Sequence, residues 1–146
     1  MGGILSKWLV LTEHPVTPAD RTDDGVVSDD ALQRWVEEAR SAYLDQCKVL
    51  NGRTDGALRL RDSSPVRAAY LGSAEMIIMT ATVTEVRPSS FTLAVRARPV
   101  GGDRETPINV TCTARLENER TGEVVELGRE VRDELIALEH SATNYN

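Results

Sequence analysis

The sequence predicts an α+β domain in which an antiparallel sheet wraps around one long helix. Two patterns carry this prediction. Apolar residues follow a helical spacing between residues 29 and 46, and apolar and polar residues alternate at 91–98 and 108–117. A sheet that is apolar on one face needs a cover, which the long helix supplies. The chain of 146 residues fits one domain, residues 1–146, because no linker or repeat divides it.

The first half of the chain predicts a strand followed by the long helix. The strand is expected at residues 7–13, and His14-Pro15 and a polar run close it. Ser28 is a suitable N-cap, and the acids after it lie where the helix dipole favours negative charge. Apolar residues then recur at Leu32, Trp35, Val36, Ala39, Tyr43 and Cys47. The opposite, polar face is predicted to carry Gln33, Arg34, Glu37, Glu38 and Arg40.

The second half predicts mainly strands. Residues 49–65 are polar and contain glycines, which indicates a loop with a short ordered piece around Leu58. Strands are predicted at residues 66–71, 75–87, 91–98, 108–117 and 123–127, with turns rich in Gly, Pro and Ser between them. A closing helix is expected at 129–140, where apolar residues again recur at helical spacing.

Composition and charge exclude several classes of function. The net charge of -6 argues against a nucleic-acid partner, because phosphate contacts require clustered Lys and Arg. Apolar runs such as residues 76–81 are far too short to span a bilayer, and the start of the chain lacks a cleavable leader pattern. Cys47 and Cys112 have no metal or redox spacing. We therefore expect a cytoplasmic protein with no metal, no cofactor and no membrane partner.

The most informative segment joins an acidic turn directly to the long helix. The turn contains Asp20, Gly25 and Val27, and the helix carries Glu37 or Glu38 followed by Ala39 and Arg40. This resembles the Asp-x-Asp-x-x-Gly-x-Val turn and the Glu-x-Ala-Arg helix of the hot-dog thioesterase superfamily, in particular its hydroxybenzoyl-CoA thioesterase-like branch. Residues 81–96 and 121–135 are also similar to segments of that family. The resemblance implies a hot-dog fold, with a C-terminal helix completing the domain.

The resemblance also implies the chemistry of the site. Thioester cleavage needs a carboxylate that attacks the carbonyl or activates a water, and donors that stabilise the oxyanion. In the family the donors lie at the helix start, here the backbone N–H groups of Ser28 and Asp29. The family's usual carboxylate position falls on Thr22, which is not a base. The candidate catalytic residues are therefore Asp23 and Asp24 first, with Asp20 and Thr22 beside them.

Coenzyme A is a polyanion, so an acidic protein must gather basic residues locally to bind it. The best cluster in the sequence comprises Arg87, Ser89, Ser90, Arg96 and Arg98. In the family that the chain resembles, this region meets the nucleotide end of the ligand at a subunit interface. The competing interpretation is a solvated polar edge, because exposed arginines are common.

Two functions remain open at this point. The first is an acyl-CoA or acyl-carrier thioesterase, a hydrolase in which Asp23 or Asp24 activates water. The second is a hot-dog dimer that has lost catalysis and binds an acyl-CoA or another apolar ligand, which Thr22 favours. A homo-oligomer, dimer or tetramer, is expected in both cases, because the fold leaves sheet edges and a helix flank to be covered.

Overall fold

The structure, a computed structural model, describes residues 9–144, with side chains from residue 12 to residue 139. The strands are β1 (Leu9–Pro15), β2 (Ala57–Arg61), β3 (Met76–Val86), β4 (Phe91–Val100), β5 (Ile108–Glu117) and β6 (Val124–Val125). The helices are α1 (Asp29–Leu44), α2 (Lys48–Asn51) and α3 (Gly128–Asn144), with two 3-10 turns at Pro18–Asp20 and Ala68–Leu71.

The strands form one antiparallel sheet in the order β1-β3-β4-β5-β2, and β6 pairs with β5. The register brings like residues together: Leu93 of β4 lies opposite Val83 on one side and Cys112 on the other. Because opposite residues share a face, the alternation along these strands produces one apolar face and one polar face. This arrangement confirms the antiparallel sheet expected from the sequence.

Helix α1 covers the apolar face of the sheet. Leu32, Val36, Ala39 and Tyr43 are fully buried, and the helix packs mainly against β1, β3 and β4. Its first turn is closed by Ser28, whose side-chain oxygen accepts a hydrogen bond from the N–H of Ala31 at 3.2 Å. The predicted long helix, its N-cap and its position against the curved sheet are therefore confirmed, although it ends at Leu44.

Helix α3 closes the domain at the far end of α1. The Glu139 carboxylate accepts hydrogen bonds from the Tyr43 hydroxyl at 2.5 Å, from the N–H of Val83 at 2.9 Å and from the Thr82 hydroxyl. Glu134 caps the short α2 by accepting from the N–H of Val49. These acids fix α3 to the sheet and to both preceding helices.

Among residues 9–144, no helix is long and apolar enough to cross a membrane.

Some predictions about elements were wrong. Residues 66–71 form no strand, because Ala68–Leu71 is a 3-10 turn whose Ala68 N–H donates to the Asp29 carboxylate at 2.8 Å. The region 49–65 is more ordered than a loop, since it contains α2 and β2, and the ordered piece around Leu58 is confirmed as β2. The final strand shortens to Val124–Val125.

Two further predictions differ from the structure. Arg40 does not lie on the exposed face of α1, because the residue is only 7 % exposed and its guanidinium donates to the Ser63 hydroxyl at 2.8 Å. The first strand was predicted at residues 7–13, whereas β1 extends over Leu9–Pro15, and residues 7 and 8 lie outside the described part of the chain.

Candidate active site

The acidic turn before α1 is a tight, internally bonded loop. The N–H of Thr22 donates to the carbonyl of Val26 at 2.8 Å, and the N–H of Gly25 donates to the carbonyl of Thr22 at 2.9 Å. Arg21 and Val27 pair across its base as an antiparallel bridge. Gly25 has a φ of +82°, a left-handed conformation that glycine adopts without steric cost. The loop therefore has a defined shape.

Side-chain and backbone bonds fix this turn to the start of β3. The Arg21 guanidinium donates to the carbonyls of Gly25 at 3.0 Å and Ala74 at 2.9 Å. The N–H of Val27 donates to the carbonyl of Gly72 at 2.9 Å. The turn, the start of α1 and the segment before β3 thus meet in one place.

Asp20 has a structural role in the turn. It is 8 % exposed, and its carboxylate accepts from the N–H and hydroxyl of Thr17 and from the Arg34 guanidinium at 2.9 Å. Burial by itself would raise the pKa of Asp20, but the Thr17 and Arg34 hydrogen bonds together lower that pKa below its ordinary value. The carboxylate is therefore ionised and fully engaged, which leaves it poorly suited to accept a proton from water.

Asp23, Asp24 and Thr22 are exposed at the tip of the turn. Neither carboxylate of Asp23 or Asp24 forms a hydrogen bond or ion pair with any other described side chain. Of the acids predicted as catalytic, these two are consequently the ones whose oxygens are available to water or to a ligand.

The start of α1 presents two backbone donors. The N–H of Ser28 already donates to the carbonyl of Asp20 at 2.8 Å, and the N–H of Ala31 bonds the Ser28 side chain. Within residues 9–144, the N–H groups of Asp29 and Asp30 have no acceptor. Such unpaired donors at a helix start, supported by the helix dipole, are suited to hold a carbonyl or oxyanion oxygen.

The predicted coenzyme A residues do not form one cluster within a chain. Arg87 lies in the β3–β4 turn, where it pairs with Glu85 at 2.7 Å. Ser89 and Ser90 are half-buried in the same turn. This turn is at the opposite end of β3 from the start of α1, and the 11 residues of β3 span about 33 Å at about 3.3 Å per residue.

Arg96 and Arg98 lie further along β4. Their neighbours Val95 and Ala97 are buried in the core, so alternation directs both arginines to the face of the sheet turned away from α1. Arg96 donates to the Asn109 side chain at 3.1 Å, and Arg98 is exposed opposite Ile78. These two positions are therefore separated from the β3–β4 turn along β4, and from the start of α1 by the thickness of the sheet.

Two other arginines border the turn and were not predicted. Arg67 is exposed and precedes Ala68, whose N–H binds the Asp29 carboxylate. Arg104 is exposed and packs on Gly72, where a Cβ would lie 2.5 Å from its Cγ atom. The sequence signal was weak, because both arginines lie in loops, and no local sequence pattern shows where those loops pack.

Among the residues that the structure describes, no group of three His, Cys, Asp or Glu side chains is arranged to hold a metal ion. The imidazole of His14 stacks on Trp35 with ring centroids 5.1 Å apart, and burial lowers its pKa although Glu38 and Asp20 oppose this effect. His14 is thus a packed side chain beside the turn.

Comparison with known proteins adds structural neighbours only. No family model matches the chain, and no curated protein matches its sequence. A variant of 4-hydroxybenzoyl-CoA thioesterase bound to 4-hydroxybenzoyl-CoA superposes with a TM-score of 0.64 and 12% identity, covering 89% of this chain and 99% of that one.

Two further solved structures extend the comparison. A 1,4-dihydroxy-2-naphthoyl-CoA thioesterase from Synechocystis gives a TM-score of 0.59 at 16% identity, covering 88% of this chain and 96% of its own. The 12:0-ACP thioesterase from Umbellularia californica gives 0.68 at 13% identity, covering 93% of this chain and 55% of its own. The sheet order, the central α1 and these superpositions together establish that the chain has the hot-dog fold found in these thioesterases.

Proposed function

We propose that the chain hydrolyses a thioester of coenzyme A or of an acyl carrier at the start of α1. The observation that carries the proposal is the pair of unpaired N–H groups of Asp29 and Asp30 beside a turn with two available carboxylates. Structural similarity to thioesterases that act on CoA and ACP thioesters supports the same class of substrate.

In the proposed reaction, the carbonyl oxygen of the thioester accepts hydrogen bonds from the Asp29 and Asp30 N–H groups. The carboxylate of Asp23 or Asp24 takes a proton from water as the water oxygen bonds to the carbonyl carbon. The two N–H groups stabilise the negative charge that develops on the carbonyl oxygen. The C–S bond then breaks and the proton passes to the leaving sulfur, which yields a carboxylic acid and a thiol.

The acids at the helix start are compatible with this role. Asp29 adds negative charge close to the developing oxyanion, which opposes catalysis. Its carboxylate oxygen, however, accepts a hydrogen bond from the N–H of Ala68, so part of that charge is compensated by a fixed donor. The backbone N–H groups remain available because the Asp29 side chain bonds elsewhere.

We further propose that the protein acts as a homo-oligomer and that the phosphates of coenzyme A contact arginines near the interface between two subunits. Arg67 and Arg104 border the turn within one chain. The set predicted from the sequence, Arg87 with Ser89, Ser90, Arg96 and Arg98, would have to come from a neighbouring subunit. Arg87, Ser89 and Ser90 lie at the far end of β3 from the start of α1, and Arg96 and Arg98 lie on the face of the sheet turned away from α1.

The experiment is a panel of aromatic and aliphatic acyl-CoA substrates assayed for thiol release. The variants are Asp23→Asn, Asp24→Asn and the double variant, with Asp133→Asn on exposed α3 as the matched control. We expect the double variant to lose about 10²- to 10⁴-fold in rate, and the control to match the parent. Full activity in the double variant would refute the assigned roles.

A second function is favoured by one observation in the turn. The position at which the related family carries its carboxylate is Thr22, and the buried acid Asp20 is engaged by Thr17 and Arg34. The alternative is a non-catalytic dimer that binds an acyl-CoA or another apolar ligand at the same helix start. Absence of thiol release across the whole panel, together with measurable binding of an acyl-CoA, would identify this function.

A further inference from the structure

The loop between β4 and β5, residues 101–107, is fastened to the segment that precedes β3. The Asp103 carboxylate accepts hydrogen bonds from the N–H of Ser73 at 2.8 Å and from the Ser73 hydroxyl at 2.9 Å. At the base of the loop, the N–H of Glu75 donates to the carbonyl of Val100 at 3.0 Å. The loop is therefore held at its base and again at Asp103.

Gly72 allows the loop to approach this segment closely. Its φ is +60°, and a Cβ at this position would overlap the Asp103 carboxylate and lie 2.5 Å from Cγ of Arg104. The carbonyl of Gly72 accepts the N–H of Val27, the residue before the N-cap of α1. The loop thus packs on the residue that holds the chain where it enters α1.

Arg104 combines a packed stem with an available charge. The residue is exposed, and its guanidinium has no hydrogen-bond or ion-pair partner among the side chains described at residues 12–139. The N–H and hydroxyl of Ser73 hold the pKa of Asp103 below its ordinary value, and the charge of Arg104 adds to this effect. An arginine whose stem is already packed loses less side-chain entropy when it binds an anion.

We propose that Asp103 is a positioning residue, which holds Arg104 against Gly72 so that the guanidinium binds a phosphate of coenzyme A. This inference rests on the proposed function, because it assumes a coenzyme A ligand at the start of α1. Asp103 contacts no part of the ligand and acts through Arg104. Its negative charge, which by itself would repel phosphates, is compensated by the two fixed donors of Ser73.

Asp103→Ala tests the proposal, with Glu105→Ala in the same loop as the matched control. Both changes remove one negative charge from an exposed residue, but only Asp103 bonds Ser73. If charge alone mattered, both variants would bind the polyanionic coenzyme A more tightly than the parent. We expect the dissociation constant for coenzyme A, measured by isothermal titration calorimetry, to rise about fivefold in Asp103→Ala. In Glu105→Ala it should equal that of the parent or fall below it.

Two further variants separate positioning from other roles, and circular dichroism verifies the fold of each. Asp103→Asn keeps an acceptor oxygen for Ser73, so it should recover most of the lost affinity. Because Asp103 acts through Arg104, the double variant D103A/R104A should bind coenzyme A as weakly as R104A alone. Equal weakness in D103N and D103A, or a further loss in the double variant, would overturn the proposal.

A thioester without phosphates provides an independent readout in the activity assay. For benzoyl-CoA, we expect D103A and R104A to raise KM about fivefold with kcat nearly unchanged. For the benzoyl thioester of N-acetylcysteamine, both constants should equal those of the parent. Equal effects of D103A on the two substrates would indicate a structural role for Asp103 and would overturn the proposal.

Binding and turnover together separate this inference from the proposed function. A parent that binds coenzyme A, with binding weakened by D103A and R104A but not by E105A, would support the inference even if it cleaved no thioester, and the hydrolase would then be refuted. A parent that cleaves thioesters but binds coenzyme A as tightly as all of these variants would refute the inference alone. A parent that does not bind coenzyme A would also refute it.

Discussion

Three acids within five residues of the turn, Asp20, Asp23 and Asp24, differ in burial and in the hydrogen bonds that they accept. Asp20 is buried and accepts three hydrogen bonds, whereas Asp23 and Asp24 are exposed and bond no described side chain. From residue type alone, all three aspartates were predicted as candidate catalytic bases. Only the contacts show that Asp20 holds the turn, while the carboxylates of Asp23 and Asp24 have no partner among the described side chains.

The role of Asp20 leads to a prediction about stability and pH. Asp20→Asn removes the ion pair with Arg34 and weakens the bonds from Thr17, and we expect a loss of about 2 kcal/mol in unfolding free energy at pH 7. The pKa of Asp20 is lowered in the fold. Its contribution is therefore complete above the ordinary aspartate pKa of about 4 and is lost as pH falls through the lower folded value.

Urea denaturation at pH 7 and pH 3 measures this effect. The parent should lose more stability between the two pH values than Asp20→Asn does. Asp23→Asn, which changes an exposed neighbour, should follow the parent. A parent and Asp20→Asn with equal pH dependence would show that the Asp20 contacts contribute nothing.

The sequence predicted some site residues well and others poorly. Ser28 was identified as the N-cap because capping depends on local residues. That its N–H is occupied by the carbonyl of Asp20 depends on the path of the turn, which no local pattern encodes. Arg40 was placed on the polar face of α1, yet the residue is 7 % exposed and donates to Ser63 in the segment after β2, a contact that no local pattern encodes.

At the scale of elements, predictions succeeded where one periodicity held without competition. The limits of β5, Ile108–Glu117, agree with the predicted strand because alternation of buried and wetter residues extends over its whole length. The segment 66–71 has buried residues at Ala68 and Leu71, a spacing that suits a 3-10 turn. Its composition did not distinguish that turn from a short strand.

The first turn of α1 provides a prediction at this scale. Ser28→Ala removes the acceptor for the Ala31 N–H, and we expect a loss of about 1 kcal/mol in unfolding free energy. Ser41→Ala, on the exposed side of the same helix, should change stability little. Thermal and urea unfolding of both variants measure the difference, and an unchanged midpoint for Ser28→Ala would show that the cap contributes nothing.

The hydrogen bonds that hold α3 against α1 and the sheet lead to another prediction at the scale of elements. Tyr43→Phe keeps the buried ring but removes the hydroxyl that donates to Glu139, and a hydrogen bond to a charged group contributes about 1.5–3 kcal/mol. We expect a loss in that range and faster amide exchange in α3 and at Val83. Tyr70→Phe, at a residue that is 61 % exposed, is the control. Exchange in α3 that is identical in parent and Tyr43→Phe would contradict this account.

For the whole molecule, charge and assembly are linked. A chain with a net charge of -6 needs local basic residues to bind a polyanionic ligand. Arg87 was grouped with Arg96 and Arg98 because the three residues are close in sequence within one predicted hairpin. In the structure Arg96 and Arg98 are distant from Arg87, because they lie further along β4 from the β3–β4 turn, on the face of the sheet turned away from α1.

Kinetics distinguish the two arginine groups. We expect Arg67→Ala and Arg104→Ala to raise KM for an acyl-CoA with kcat nearly unchanged, because they would contact phosphates that do not react. Arg87→Ala should act in the same way only in the oligomer. The comparison is therefore repeated at protein concentrations where sedimentation velocity shows a monomer, and an Arg87 effect that persists in the monomer would exclude a contribution from the neighbouring subunit.

The central claim is that the N–H groups of Asp29 and Asp30 hold the carbonyl oxygen of the ligand, whether or not the bond is then cleaved. Amide chemical shifts recorded while a non-hydrolysable acyl-CoA ketone analogue is added test it most directly. We predict that these two amide protons move downfield with saturation as hydrogen bonds form, while the Ser28 amide, already bonded, moves little. Saturable binding that leaves both amides unmoved would contradict the account.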